Sequence, residues 1–262
     1  MRVIKAHAYG NDFLFVALAD GRTGGSELAR ALCDRHQGIG ADGLILYGLG
    51  DRAAAMTLFN ADGGAAELSG NGLRCLAAVV AWEQQLPAGT EVRIETDAGV
   101  MRVELLAGAG RRYTCRAALG PPEDIRQARI PVGEETVTAT VLRMGNPQCV
   151  VLGPLPESGR FNRLGPALAT HPMFPAGTNV EFAHVETPDR VRILIWERGV
   201  GPTASSGTGS CAAAVAAAVH GGAARQVDVA APGGTQRVEW RGDGVYLTGW
   251  AEIVLDGDWL GG

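Results

Sequence analysis

Apolar residues fall mostly in short runs cut by glycine, proline, asparagine or aspartate, a pattern that predicts many short strands. Val3–His7 and Phe13–Leu18 flank a turn at Tyr9–Asp12. Further strands are expected at Leu44–Leu46, Ala55–Phe59, Glu91–Thr96, Met101–Leu106, Val137–Leu142, Cys149–Leu152 and Val180–Ala183. Val191–Trp196, Val227–Val229, Arg237–Glu239 and Val245–Leu247 complete the set. A short helix is expected from Ser26, a good capping residue, with Glu27 in its first turn. Many short strands and few helices give an α+β class.

Two stretches break this pattern, and they resemble each other. Ser69-Gly-Asn-Gly-Leu-Arg-Cys75-Leu-Ala-Ala-Val-Val-Ala recurs as Ser206-Gly-Thr-Gly-Ser-Cys211-Ala-Ala-Ala-Val-Ala-Ala-Ala, at an offset close to half the chain. Each follows a predicted strand through a loop carrying carboxylates: Asp62 and Glu67 before the first copy, Glu197 before the second. Each then enters a helix that is apolar all round, and such a helix is buried rather than laid on a surface. Duplication accounts for the pair: two similar domains, each a mixed or antiparallel sheet wrapped around a central helix. They join near residues 116–123, where Pro121-Pro122 sits, giving domains over residues 1–118 and 119–252. A glycine-rich turn that opens a helix offers unpaired backbone N–H groups and the positive end of the helix dipole, which is an anion site. In a duplicated protein the two turns are expected to face one another across an interdomain cleft.

Composition narrows the function further. The 262 residues carry 23 basic and 28 acidic side chains, a net charge of −5 with no basic block, which argues against nucleic acid as a partner. No apolar run approaches a membrane span, and the opening Met1-Arg-Val-Ile-Lys-Ala-His lacks a signal-peptide core. The five cysteines (Cys33, Cys75, Cys115, Cys149, Cys211) are scattered and odd in number, the usage of a reduced cytoplasm. The histidines lack ligand spacing, so no metal is expected.

Several motifs, in order over almost the whole chain, resemble the diaminopimelate epimerase family. They are Tyr9-Gly-Asn-Asp-Phe13, Arg35-His-Gln-Gly-Ile-Gly-Ala-Asp-Gly43, Phe59-Asn-Ala-Asp-Gly-Gly64, Ser69-Gly-Asn-Gly-Leu-Arg-Cys75, Met144-Gly-Asn-Pro147, Asn179, and Glu197-Arg-Gly-Val-Gly201 through Ser206-Gly-Thr-Gly209. The resemblance implies two pseudo-symmetric domains, with the tail at 253–262 returning to the first. It implies a cytoplasmic enzyme, with a homodimer possible, that inverts the α-carbon of LL-diaminopimelate to the meso form without a cofactor, for lysine and peptidoglycan synthesis.

Inversion needs two opposed acid/base groups, one to take the α-proton and one to return a proton to the other face. The family places a cysteine immediately before each Gly-x-Gly turn, and thiols suit the task because a helix N-terminus lowers their pKa. Here those catalytic positions hold Ser69 and Ser206. A serine hydroxyl is a far poorer base than a thiolate, so the resemblance implies epimerase chemistry that is impaired in this sequence. Gln148 stands where the family usually has histidine, and Pro202 where it usually has glutamate. Asn60, Asn146, Asn179 and Arg198 match positions that grip the distal amino-acid end, while Asn11 and Glu197 match positions near the reacting amine. Gly70-Asn71-Gly72 and Gly207-Thr208 match the cradle for the reacting carboxylate, and Gly43 stands where glutamine is common. Asp62 is expected only to organise its turn, His7 to be structural, and Cys75 and Cys211 to be inert core.

Three readings follow. The chain is an epimerase with serine substituted for its two cysteines, a diverged relative that acts as a different amino-acid racemase or epimerase, or a non-catalytic amino-acid-binding protein.

Overall fold

The structure is a computed structural model that describes residues 1–18, 24–66 and 68–261. Glu67 lies outside the described residues. The chain divides into two compact units: residues 1–118 with those from Thr248 on, and residues 119–247.

The first unit opens with an antiparallel hairpin of β1 (Arg2–Ala8) and β2 (Asn11–Ala17). Its turn is only Tyr9 and Gly10, both at positive φ (56° and 89°), as a two-residue hairpin loop demands. Helix α1 (Gly25–Cys33) leads to β3 (Gly43–Gly50), parallel to β2 with Phe15 opposite Ile45. Ser26 does not cap α1. The helix starts at Gly25, with Gly24 at φ 104° and no side-chain cap, because residue 25 is pressed on the Phe59 ring, which a Cβ would meet at 2.3 Å. Next come β4 (Ala53–Asn60), antiparallel to β3, and the two-residue β5 (Ala65–Ala66). Helix α2 (Gly70–Gln84) precedes β6 (Glu91–Thr96), which is parallel to β4, and a meander of β7 (Gly99–Ala109) and β8 (Arg112–Ala118). Every residue of α2 from Gly70 to Ala81 is buried, and the helix packs against β1, β2, β6, β7 and β8.

The second unit repeats this order. Strands β9 (Glu123–Val132), β10 (Glu135–Arg143) and β11 (Pro147–Leu152) are antiparallel neighbours. Helix α3 (Ser158–Ala169) then leads to β12 (Asn179–Thr187), parallel to β11 with Val150 opposite Glu181. Strands β13 (Arg190–Glu197) and β14 (Gly201–Thr203) precede helix α4 (Gly207–His220), which is buried from Gly207 to Ala217. Strand β15 (Gln226–Ala231) is parallel to β13, and β16 (Gly234–Arg241) is antiparallel to β15. The last strand, β17 (Gly244–Asp258), leaves the second unit after Leu247 and pairs with β1 from His7↔Glu252 to Arg2↔Asp258.

The correspondence is complete from strand to strand. In each unit a parallel pair is bridged by a short helix, the following antiparallel strand takes a two- or three-residue partner, and the apolar helix leads to a parallel strand. The expected α+β class, with one central helix in each unit, is what the chain adopts. The sequence pattern missed α3, β8, β9 and the short β5 and β14. Helix α3 has two surface arginines that both reach Glu135 (Arg160 at 3.2 Å, Arg163 at 2.6 Å) and a proline at 166, so its apolar stripe is narrow.

Candidate active site

Each central helix begins at a serine. Ser69 caps α2, its Oγ accepting the Gly72 N–H at 3.0 Å; Ser206 caps α4, its Oγ accepting the Gly209 N–H at 3.1 Å. Both side chains therefore sit at the positive end of a helix dipole, already touching a backbone donor. A thiolate at either position would be stabilised by the same donor and dipole.

In the first unit a polar chain runs from the buried helix to the surface. The fully buried Arg74 guanidinium donates to Asn71 Oδ1. Asn71 donates to Asn11 Oδ1 at 3.1 Å, and Asn11 donates to Asp42 Oδ2 at 2.8 Å. Arg35 bridges Asp42 and Asp12 at 2.8 and 2.9 Å, and Lys5 reaches Asp12 at 2.9 Å. Burial works to raise the Asp12 carboxyl, but hydrogen bonds from Arg35 and Lys5 outweigh it and hold Asp12 below the usual range. Asn11 thus begins β2 with its amide fixed on both sides, more than a turn residue would be. Asn60 ends β4 opposite Gly43, half-buried, with its backbone closing the Asp62 turn. Asp62 does organise that turn, accepting the Gly64 N–H at 2.7 Å. A Cβ at Gly43 would meet Phe59 O at 2.8 Å, so a side chain there would displace β4. His7 accepts the Gly10 N–H and stands edge-on to Trp250, a structural use.

In the second unit a buried cluster lies under the first turn of α4. The donors and acceptors around the Gln148 amide orient it: its nitrogen donates to Glu181 Oε1 and Oε2 at 3.0 and 3.3 Å, and its oxygen accepts from Thr208 Oγ1 at 3.2 Å. The Asn146 side chain completes the group 2.5 Å from Gln148. Glu181 is fully buried; burial first, then the like charge of Glu197, pushes its carboxyl well above the ordinary value. Beside this cluster, Asn179 Oδ1 accepts the backbone N–H of Arg198 at 3.0 Å, and its Nδ2 donates to Pro147 O at 3.4 Å. The Arg198 guanidinium is exposed and donates to Ala176 O at 2.9 Å, while Gly177 leaves room for its stem, which a Cβ would meet at 2.9 Å. Glu197, half-buried, ends β13. So Asn146, Thr208 and the unpredicted Gln148–Glu181 pair come together, Asn179 and Arg198 come together, and Gly70 and Gly207 open the two helices.

All five cysteines are buried, and burial raises those with a resolved shift, Cys33 to about 12. Among the described residues no group of three or more histidines, cysteines and carboxylates is placed to hold a metal, and no helix is long and apolar enough to cross a membrane.

The sequence profile of the family described as diaminopimelate epimerase matches residues 3–122 and 140–254. The chain belongs to the diaminopimelate epimerase family. It is 43% identical to a diaminopimelate epimerase of Desulforudis audaxviator, covering 99% of both chains. It is 38% identical to a diaminopimelate epimerase of Desulfitobacterium hafniense, covering 98% of this chain and 97% of the relative. Solved structures share the fold at low identity. A hydroxyproline epimerase from Agrobacterium vitis with bound trans-4-hydroxy-L-proline has a TM-score of 0.75 at 18% identity, covering 98% of this chain and 91% of its own. A phenazine biosynthesis protein of the PhzF family from Bacillus anthracis has a TM-score of 0.72 at 16% identity, covering 99% of both. Glu181 was not singled out from sequence. Its signal was an acid between Val180 and Phe182 within the otherwise apolar run Val180–Ala183.

Proposed function

We propose that this chain is a cofactor-independent, cytoplasmic amino-acid epimerase of diaminopimelate type, with most of the family's binding framework retained and its proton transfer slowed by serine at both reacting positions. Family membership over nearly the full length supports the substrate class. The observation that carries the reading is the pair of matched helix caps: residues 69 and 206 each present a side-chain atom to a backbone N–H at a helix N-terminus.

In this reading each unit supplies one reacting position. The N–H groups of Gly70-Asn71 and Gly207-Thr208 receive the reacting carboxylate, where the helix dipoles favour negative charge. Asn11 and Glu197 hold the reacting amine. Asn60, Asn146, Asn179 and Arg198 hold the distal amino-acid end, where a planar guanidinium pairs with a carboxylate in two parallel hydrogen bonds. An α-proton next to a carboxylate and an ammonium is weakly acidic. Its removal needs a base of pKa near the operating pH, and a capped serine hydroxyl is far from that. The present side chains favour binding over turnover.

Calorimetry tests the substrate assignment. LL- or meso-diaminopimelate binds more tightly than lysine, which lacks the distal carboxylate and so forgoes the charge-assisted pairing with Arg198. Equal affinity for lysine contradicts the assignment.

A further inference from the structure

The two helix caps match, but what lies beneath them does not. In the first unit a Cβ at Gly72 would meet Ile45 Cδ1 at 3.1 Å, with Ser69 Cβ and Oγ at 3.2 and 3.4 Å. In the second unit a Cβ at Gly209 would meet Glu181 Oε1 at 2.5 Å, with Ser206 Cβ and Oγ both at 3.1 Å. Ile45 and Glu181 hold the same register, each the third pair of a parallel ladder into the site helix: Phe15↔Ile45 in one unit, Val150↔Glu181 in the other. The absence of a side chain at Gly209 leaves the Glu181 carboxyl and the Ser206 hydroxyl bordering one small space. At the equivalent place in the first unit there is a methyl group.

We propose that Glu181 is a positioning residue for the reaction, the buried acid that governs the protonation of the side chain at 206 and makes the two reacting positions chemically unequal. The proposal rests on the reading that residue 206 is a reacting position. Its physical basis is local. Two ionisable groups around one point inside a unit cannot both carry negative charge without mutual repulsion, so they titrate as a pair. Glu181 is held there from three sides. Gln148 on β11 donates to both of its oxygens, Gly209 on α4 leaves it room, and Ile195 on β13 stands opposite it. The titratable groups that act on it or feel it are Glu197, from β13, and Cys149, from β11, whose thiol is raised by burial and then by Glu181 itself. The negative charge of Glu197 favours a proton on Glu181, while the Cys149 thiol stays neutral and only feels it. With Ser206 in place the proton stays on the carboxyl. With a thiol at 206, one proton is shared between sulfur and carboxyl.

The test needs no substrate. Ser206→Cys and Ser69→Cys each introduce one thiol at a helix cap in a chain whose own cysteines are all buried. Ser206 is itself only 3% exposed, so thiolate formation is followed against pH by its ultraviolet absorbance, as the difference from the parent chain, with and without Glu181→Gln. The expected result is that Glu181→Gln moves the Ser206→Cys profile to lower pH by about one unit or more and leaves the Ser69→Cys profile, over Ile45, in place. Glu181→Asp, which keeps the acid but withdraws it by one methylene, gives a smaller shift in the same direction and serves if the glutamine form does not fold. A Ser206→Cys profile indifferent to both substitutions overturns the proposal, as does an equal shift at 69, which marks a general loosening of the fold. Deuterium exchange at the substrate α-carbon asks separately whether 206 is a reacting position, so failure there leaves the thiol result standing on its own.

Discussion

Ser69 and Ser206 hold the same backbone conformation, φ −132°, ψ 120° and φ −135°, ψ 127°, and each side chain accepts the N–H of the glycine three residues on. Two copies of one strand-to-helix turn have been kept to within a few degrees although the helices behind them share little beyond alanine, valine and cysteine. What is retained is the presentation of one side-chain atom to a helix N-terminus, twice.

Removing either cap costs stability. Ser69→Ala and Ser206→Ala each lower unfolding stability by roughly 1 kcal/mol, the usual loss when a capping hydroxyl is deleted. Urea denaturation checks this, and an unchanged midpoint in both variants contradicts it.

The two cap glycines should respond unequally. Gly209→Ala drives a methyl group to 2.5 Å from the buried Glu181 carboxyl, which Gln148 holds in place, whereas Gly72→Ala comes no closer than 3.1 Å, to a terminal methyl of Ile45, with the Ser69 side chain just beyond. The first substitution destabilises by about 1–3 kcal/mol, as overpacking of a tight interior does, and the second by less. Urea midpoints read the difference; the reverse order would mean that Glu181 yields freely.

Much of this was legible in the sequence, and the gaps have physical causes. Helices α2 and α4 stood out because an apolar helix with no polar face has only one place to go. Strands such as Leu44–Leu46 and Val191–Trp196 were visible because their buried faces are rich in branched residues. Strand β9 escaped because most of its residues are exposed and charged ones interrupt it, and β5 and β14 are too short to carry a period. Helix α3 escaped because Gly165, needed so that Trp196 can approach where a Cβ would stand 2.6 Å away, and Pro166 both read as breakers. Asn11, Asn71 and Arg198 were named by motif, but that Asn71 orients Asn11 is a fact of packing between α2 and β2 that no local pattern contains.

Binding should depend on the distal grip more than on the caps. Arg198→Ala weakens diaminopimelate binding at least tenfold, a loss of about 1.4 kcal/mol or more, while Ser69→Ala changes it little. Titration calorimetry on the two variants decides, and a larger loss from Ser69→Ala would place the main contact elsewhere.

Glu181 gives the second unit a characteristic pH response. Its carboxyl is raised by burial and then by Glu197, so its folded pKa lies above the unfolded value of about 4.3. Its contribution to stability is complete below that value and is lost as pH rises toward the folded pKa. Glu181→Gln, neutral throughout, should gain in melting temperature relative to the parent as pH rises above the unfolded carboxylate value. Asp12 has the opposite sign: burial notwithstanding, Arg35 and Lys5 depress it, and its contribution is lost as pH falls. A parent–variant difference that stays flat with pH contradicts the buried-acid assignment.

The central claim is that residues 69 and 206 are the two proton-transfer positions of a diaminopimelate epimerase framework and that serine is what slows it. Deuterium incorporation at the α-carbon of LL-diaminopimelate in D₂O measures this directly, by proton NMR, on the chain as it stands and on the double variant Ser69→Cys with Ser206→Cys. The account predicts slow or absent exchange in the first. In the second it predicts exchange faster by orders of magnitude, with inversion to the meso form, because two groups of suitable pKa then stand at helix N-termini. Rapid epimerisation by the serine form, or a double-cysteine form that binds diaminopimelate and exchanges nothing, would contradict it.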